Sequence, residues 1–152
     1  MNYKMISDQI VKSYYAYDKN PSKPFPIIVG NYGDKVVLAP DGYRGYIMPP
    51  DKCIFNLKSL LINRGEADFK KYIGSEWDYT DAYKTNELRV VEKNTLVKIT
   101  DYRDLYAWIN VNYLKPFDKD ITFKIKGRKS MVLIYKDEDL IGFVLPVNVK
   151  EV

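Results

Sequence analysis

The residues of this 152-residue chain that could do chemistry fall into four groups. The first is Gly127-Arg128-Lys129-Ser130, which ends like a phosphate-binding loop. That motif needs a glycine five residues before its second glycine, and Thr122 stands there. A hairpin turn is the simpler reading. The second is a run of cations. Lys124, Lys126 and Arg128 alternate along one strand face with Lys129 adjoining, a spacing suited to contacting phosphates. The acidic turn Asp137-Glu138-Asp139 lies one strand away and could neutralise it. The third is Glu76, Asp78 and Asp81, carboxylates that could hold a metal or flank a scissile bond but are expected to be solvated in a polar stretch. The fourth is Trp77, Tyr79 and Tyr83, interleaved with those acids. Exposed aromatics there would suit a protein-binding hot spot or base stacking; packed onto the sheet, they would be ordinary core.

Absences narrow the chemistry. The chain has no histidine, so it lacks the commonest general base and metal ligand. Its one cysteine, Cys53, has no imidazole to activate it and reads as a small apolar residue beside a strand. One cysteine also rules out an intrachain disulfide, which suits a reducing compartment. No acid–base pair or nucleophile stands out, so the chain is expected not to be an enzyme, and no cofactor or metal is expected. The net charge of +4 is far from that of a dedicated nucleic-acid binder. Apolar and charged contents of 46% and 29% are those of a soluble globular protein. No apolar signal region follows Met1 and no run is long enough to cross a bilayer, so no membrane partner and a cytoplasmic setting are expected. The length predicts a single domain, 1–152.

The elements that must position these groups can be read in order. Asn2 to Ile6 is apolar enough for a strand, and Ser7 stands as an N-cap to a helix over 8–17. Pro21 and Pro24 end it. Three strands follow, at 25–29, 35–39 and 43–48, joined by turns at Gly33 and at Pro40-Asp41-Gly42. In the middle, 53–55 reads as a strand, Leu57 to Leu61 as a short helix stopped by Gly65, and 66–73 as another closed by Gly74. Residues 75–86 have no clean period and read as a surface loop. A hairpin joins 88–91 to 96–100 across Glu92-Lys93-Asn94. Then come a strand at 105–111, a turn of helix capped by Asn112 and cut short by Pro116, and strands at 121–125, 131–135 and 140–147.

Strand–helix–strand–strand–strand thus occurs twice, at 2–48 and 105–149, around an insertion at 49–104. The expected class is α+β, two such units with helices packed on one side.

Several stretches resemble the bacterial DNA sliding clamp, or processivity factor. NYKMISDQIVKSYYAY is similar to the strand and helix that open a clamp domain. KVVLAPDGYRGY resembles its strand running into an Ala-Thr-Asp-Gly-basic turn, through Ala39, Asp41, Gly42 and Arg44, with Pro40 departing. WINVNYLKPF resembles the start of its second helix, through Asn110, Val111 and Leu114, and Leu145-Pro146 stands where its closing hairpin ends in Met-Pro. The resemblance implies a clamp-like domain of two strand–helix–strand–strand–strand units. Clamps are rings of several domains whose helices carry cations toward DNA. Here Pro116 shortens the second helix, and the first offers Lys4 and Lys12 with Asp8 between. The expectation is therefore a non-enzymatic clamp-like binding protein, acting through protein contacts in DNA replication or phage–host conflict. Trp77, Tyr79 and Tyr83 are its candidate protein-binding residues. The alternative is a DNA-binding accessory protein using Lys124, Lys126, Arg128 and Lys129.

Overall fold

A computed structural model describes residues 1–56 and 66–150. The protein is mixed α+β, with ten strands and two α-helices among the described residues, and it divides into two compact units, Met1–Gly74 and Ser75–Val152.

The first unit opens on helix α1 (Tyr3–Lys19) rather than on the strand expected at 2–6. Ile6 and Ile10 are one helical turn apart and both buried while Asp8 between them is exposed, a pattern that the period of two of a strand does not give. Asn2, not Ser7, is the N-cap: its side chain accepts from the Met5 N–H at 3.0 Å. Ser7 instead donates to the Tyr3 carbonyl one turn back at 2.9 Å. Farther along the helix, Tyr14 and Tyr17 meet the buried Phe25 edge-on, with centroids 6.1 and 5.0 Å away.

Strands β1 (Ile28–Tyr32), β2 (Lys35–Asp41) and β3 (Arg44–Met48) form an antiparallel meander. Gly33 makes the first turn at a positive φ that other residues resist. At the second, Asp41 accepts from the Tyr43 N–H at 2.9 Å and pairs with Arg44 at 3.3 Å. Pro40 has no N–H to give to the ladder, and the register between β2 and β3 shifts by one residue around it.

Cys53 to Phe55, expected to pair, lie outside any strand after a single 3-10 turn at Pro50–Lys52. The helix expected at Leu57–Leu61 lies outside the described residues. The next helix is shorter than expected, because Ala67–Asp68 form strand β4, parallel to β1, before α2 (Phe69–Ile73). Gly30 faces that junction, where a Cβ would collide with the Ala67 carbonyl and the Phe69 ring. Gly74 closes α2 at positive φ, donating to the Lys70 carbonyl at 3.0 Å.

The second unit contains the larger departure. Residues 75–86 are not a surface loop. A 3-10 turn at Glu76–Asp78 leads into strand β5 (Thr80–Val91), the longest in the protein. It turns at Glu92-Lys93 into β6 (Asn94–Asp101), with Glu92 in the left-handed region. β7 (Tyr106–Asn110), a 3-10 turn at Val111–Leu114, β8 (Thr122–Ile125), β9 (Val132–Lys136) and β10 (Asp139–Val144) follow. The 3-10 turn is capped by Asn110, which accepts from the Asn112 N–H at 2.9 Å, and not by Asn112. Pro116 holds it to one turn, as its missing N–H predicts.

The six strands are antiparallel in the order β10-β9-β8-β5-β6-β7, so β5 and β6 stand between β8 and β7. One face carries Ala82, Val97, Ile99, Ala107, Ile109, Phe123, Ile125 and Ile134, all buried. Val132 to Tyr135 are buried without alternation, so β9 is covered on both faces. The chain leaving β10 passes Pro146, and Val147 donates to the Trp108 carbonyl of β7 at 2.8 Å. The last residues thereby reach the opposite edge of the same sheet, which curls toward a barrel. No helix among the described residues is long and apolar enough to cross a membrane.

Candidate binding faces of the second unit

The buried face of the six-stranded sheet is apolar, so binding chemistry must come from the other face and from the strand edges. Period two sets that outer face: Asp81 and Tyr83 on β5 with Tyr79 just before it, Lys98 and Thr100 on β6, Tyr106 and Trp108 on β7, Lys124 on β8 with Lys126 just past it.

The expected basic row is there, and each of its first three cations lies on an aromatic ring. The Lys124 ammonium sits 5.0 Å from the Tyr135 centroid, and Lys126 sits 4.8 Å from that of Tyr79. Arg128 lies 5.6 Å from the Tyr106 ring and donates to its hydroxyl at 2.9 Å. Lys129 is exposed. Lys98 joins them on the Tyr106 ring at 4.7 Å, and Arg89 lies 4.9 Å from the buried Trp108. Lys98 has a counter-charge in Glu87 at 3.6 Å. Among the described residues, no carboxylate comes within ion-pair distance of Lys124, Lys126, Arg128 or Lys129. The acidic turn after β9 does not reach them. Lys136 beside it turns instead to Asp118 at 2.9 Å, and that hydrogen bond raises the Lys136 pKa above its ordinary value.

The three aromatics expected to act together take different places. Trp77 is 95% exposed. Its 3-10 turn is fixed at its start: Ser75 caps it by accepting from the Trp77 N–H at 3.3 Å, and Glu76 accepts a hydrogen bond from the Tyr135 hydroxyl. Tyr79 is buried under Lys126, and its pKa is raised by that burial and by the nearby Asp78 charge. Tyr83 is half exposed and packs its ring 5.3 Å from that of Tyr102.

The three carboxylates take different places. Glu76 is held by Tyr135, while Asp78 and Asp81 are exposed. Among the described residues, no three His, Cys, Asp or Glu side chains stand close enough to hold a metal. The buried acid, Asp101, is spent on structure, accepting from the Arg103 and Leu105 N–H groups at 2.9 Å each and from the Thr80 hydroxyl at 3.4 Å. Gly127 to Ser130 form the connection between β8 and β9 and precede no helix, so they lack the helix N-terminus that a phosphate-binding loop uses.

Sequence reasoning missed Lys98, Tyr102 and Tyr106. They come from β6, β7 and the turn between them, and strand order brings Lys98 and Tyr106 to the row and Tyr102 to Tyr83. The one sequence signal, for Lys98 alone, is the alternation of Lys98 and Thr100 with apolar Val97 and Ile99.

No family model, no curated protein and no solved structure matches this chain.

Proposed function

We propose that the chain is a non-enzymatic binding protein with a clamp-like α+β plan, acting through protein–protein contacts in DNA replication or phage–host conflict. The observation that carries the reading is Trp77. An indole exposed over 95% of its surface is held on a turn pinned by Ser75 and by the Glu76–Tyr135 bond. Ordering such a ring on binding costs little entropy, and tryptophan is the residue most enriched at interface hot spots. The clamp-like plan, the replication or phage setting, and a cytoplasmic location rest on the resemblance and on the residue content.

The test is affinity capture of host proteins on the immobilised chain, compared with Trp77→Ala. A partner should be retained by the first and lost or reduced about tenfold on the second. Equal recovery on both would remove Trp77 from the interface.

A second reading, a DNA-binding accessory protein, is favoured by Lys124, Lys126 and Arg128, which share a face, rest on tyrosine rings and lack carboxylate partners among the described residues. Cations interleaved with aromatics suit single strands, whose bases stack while phosphates are neutralised. Binding to an oligothymidine should then weaken with salt, with a slope of about −0.7 per phosphate contacted. Lys124→Glu with Lys126→Glu should abolish it. No binding at low salt ends this reading.

A further inference from the structure

We infer that the open edge of β5 is a docking site for an extended, acidic peptide segment of a partner protein, added as a strand. The inference rests on the protein-binding reading above and gives it a partner chemistry.

β5 runs for 12 residues, but β8 pairs with it only at Thr80, Asp81 and Ala82. From Tyr83 to Val91 no described strand lies on that side. The chain itself vacates the position, because β8 begins at Thr122 and the residues before it lead back to the 3-10 turn at Val111–Leu114. A groove is left along the edge, with Ala82 to Asn86 and Leu88 on one side and Leu114, Phe117 and Ile121 on the other. Leu88 and Val90 stand 62% and 70% exposed on the strand itself. An unpaired strand edge beside an apolar groove is what strand addition uses: main-chain hydrogen bonds give affinity, and alternate side chains enter the groove.

Charge selects the occupant. Lys84, Lys115 and Lys119 line the groove and are exposed. Its one acid, Asp118, is already bonded to Lys136 at 2.9 Å. A second copy of this chain would bring the same three lysines to the same place, so like charges oppose β5–β5 pairing. An acidic segment with alternating apolar residues fits both groove and charge.

The test uses a labelled synthetic peptide alternating valine and glutamate, with fluorescence anisotropy and amide exchange as readouts. The whole protein should bind it and gain exchange protection at Tyr83–Val91. The lysine counterpart should bind at least about tenfold more weakly. A version N-methylated at every residue, which has no N–H to offer on either edge, should not bind. Lys84→Glu with Lys119→Glu, both exposed changes that leave the fold intact, should reverse the preference. Peptide binding is read on the unaltered protein, so a failed Trp77 comparison in the capture experiment and a failed peptide titration are separate results. The inference is overturned if no peptide binds, if the N-methylated or lysine peptide binds equally, or if the protein alone dimerises with protection at Tyr83–Val91.

Discussion

The Tyr46 hydroxyl donates a 2.6 Å hydrogen bond to the Gln9 carboxamide oxygen, fastening α1 to β3 across 37 residues of sequence. Tyr46 is fully buried, and burial pushes its pKa up to about 12, against smaller opposing effects from Arg44 and Gln9. The ionised phenolate is therefore disfavoured in the folded protein. Because the folded pKa lies above the unfolded value of 10.0, the stabilisation is fully present below pH 10 and is lost as pH rises toward 12. Across that window Tyr46 should remove on the order of 2 kcal/mol of stability. Tyr46→Phe should cost about 1 kcal/mol at neutral pH, by orphaning Gln9, yet show a flatter alkaline decline. Denaturant midpoints at pH 8 and pH 11 check both signs. Parallel declines in the two proteins would show that Tyr46 is not the group responsible.

Asp101 makes a different kind of fastening. Its carboxylate satisfies two main-chain donors in the connection between β6 and β7. Asp101→Ala should leave both N–H groups unpaired and cost about 1–3 kcal/mol. Asp101→Asn keeps an acceptor oxygen and should recover most of that loss. Thermal unfolding of the pair decides whether the acid is there for its shape or for its charge.

Thr85 bridges the irregular step of β5. Its hydroxyl donates to the Lys98 carbonyl at 2.8 Å and accepts from the Glu87 N–H at 3.1 Å. Thr85→Val keeps the volume and removes both bonds, at a cost of about 1 kcal/mol. The loss should appear first as faster amide exchange at Glu87 and its neighbours, with the rest of the sheet unaffected. Uniform acceleration over the whole unit would instead assign Thr85 a global role.

How much could be read beforehand depended on which side of each element was buried. The strands at 35–39 and 43–48 and the hairpin at 88–100 were legible, because glycine and acidic turn residues bracket apolar runs there. β5 was not. Asp81, Lys84, Asn86 and Glu87 are all exposed, and Leu88 and Val90 are exposed too, since an open edge imposes no alternation. The opening strand at 2–6 failed for the opposite reason: Tyr3, Met5 and Ile6 fit a strand locally, and the helix is selected by Ile6 and Ile10 being buried with Asp8 exposed between them. Both cap errors, Ser7 for Asn2 and Asn112 for Asn110, chose the wrong one of two suitable side chains near a helix start. Of the candidate sites, the basic row was visible as alternation within one strand. Its tyrosine partners come from β5, β7 and β9, so strand order was needed to find them. Tyr79 is of the same residue class as Trp77 in sequence and is buried, directly before the pairing of β5 with β8 and under Lys126.

The two tryptophans give this protein a built-in optical contrast. Trp77 is open to water and Trp108 is sealed under Arg89 and Lys98, and both belong to the unit 75–152. A collisional quencher such as acrylamide will silence the first and spare the second, so one spectrum separates occupancy of the Trp77 surface from opening of the sheet. The unit 1–74 has no tryptophan and stays dark at the excitation wavelength selective for indole. Comparing indole emission with the tyrosine near-ultraviolet signal will therefore tell, without any label, whether the two units melt together or one at a time.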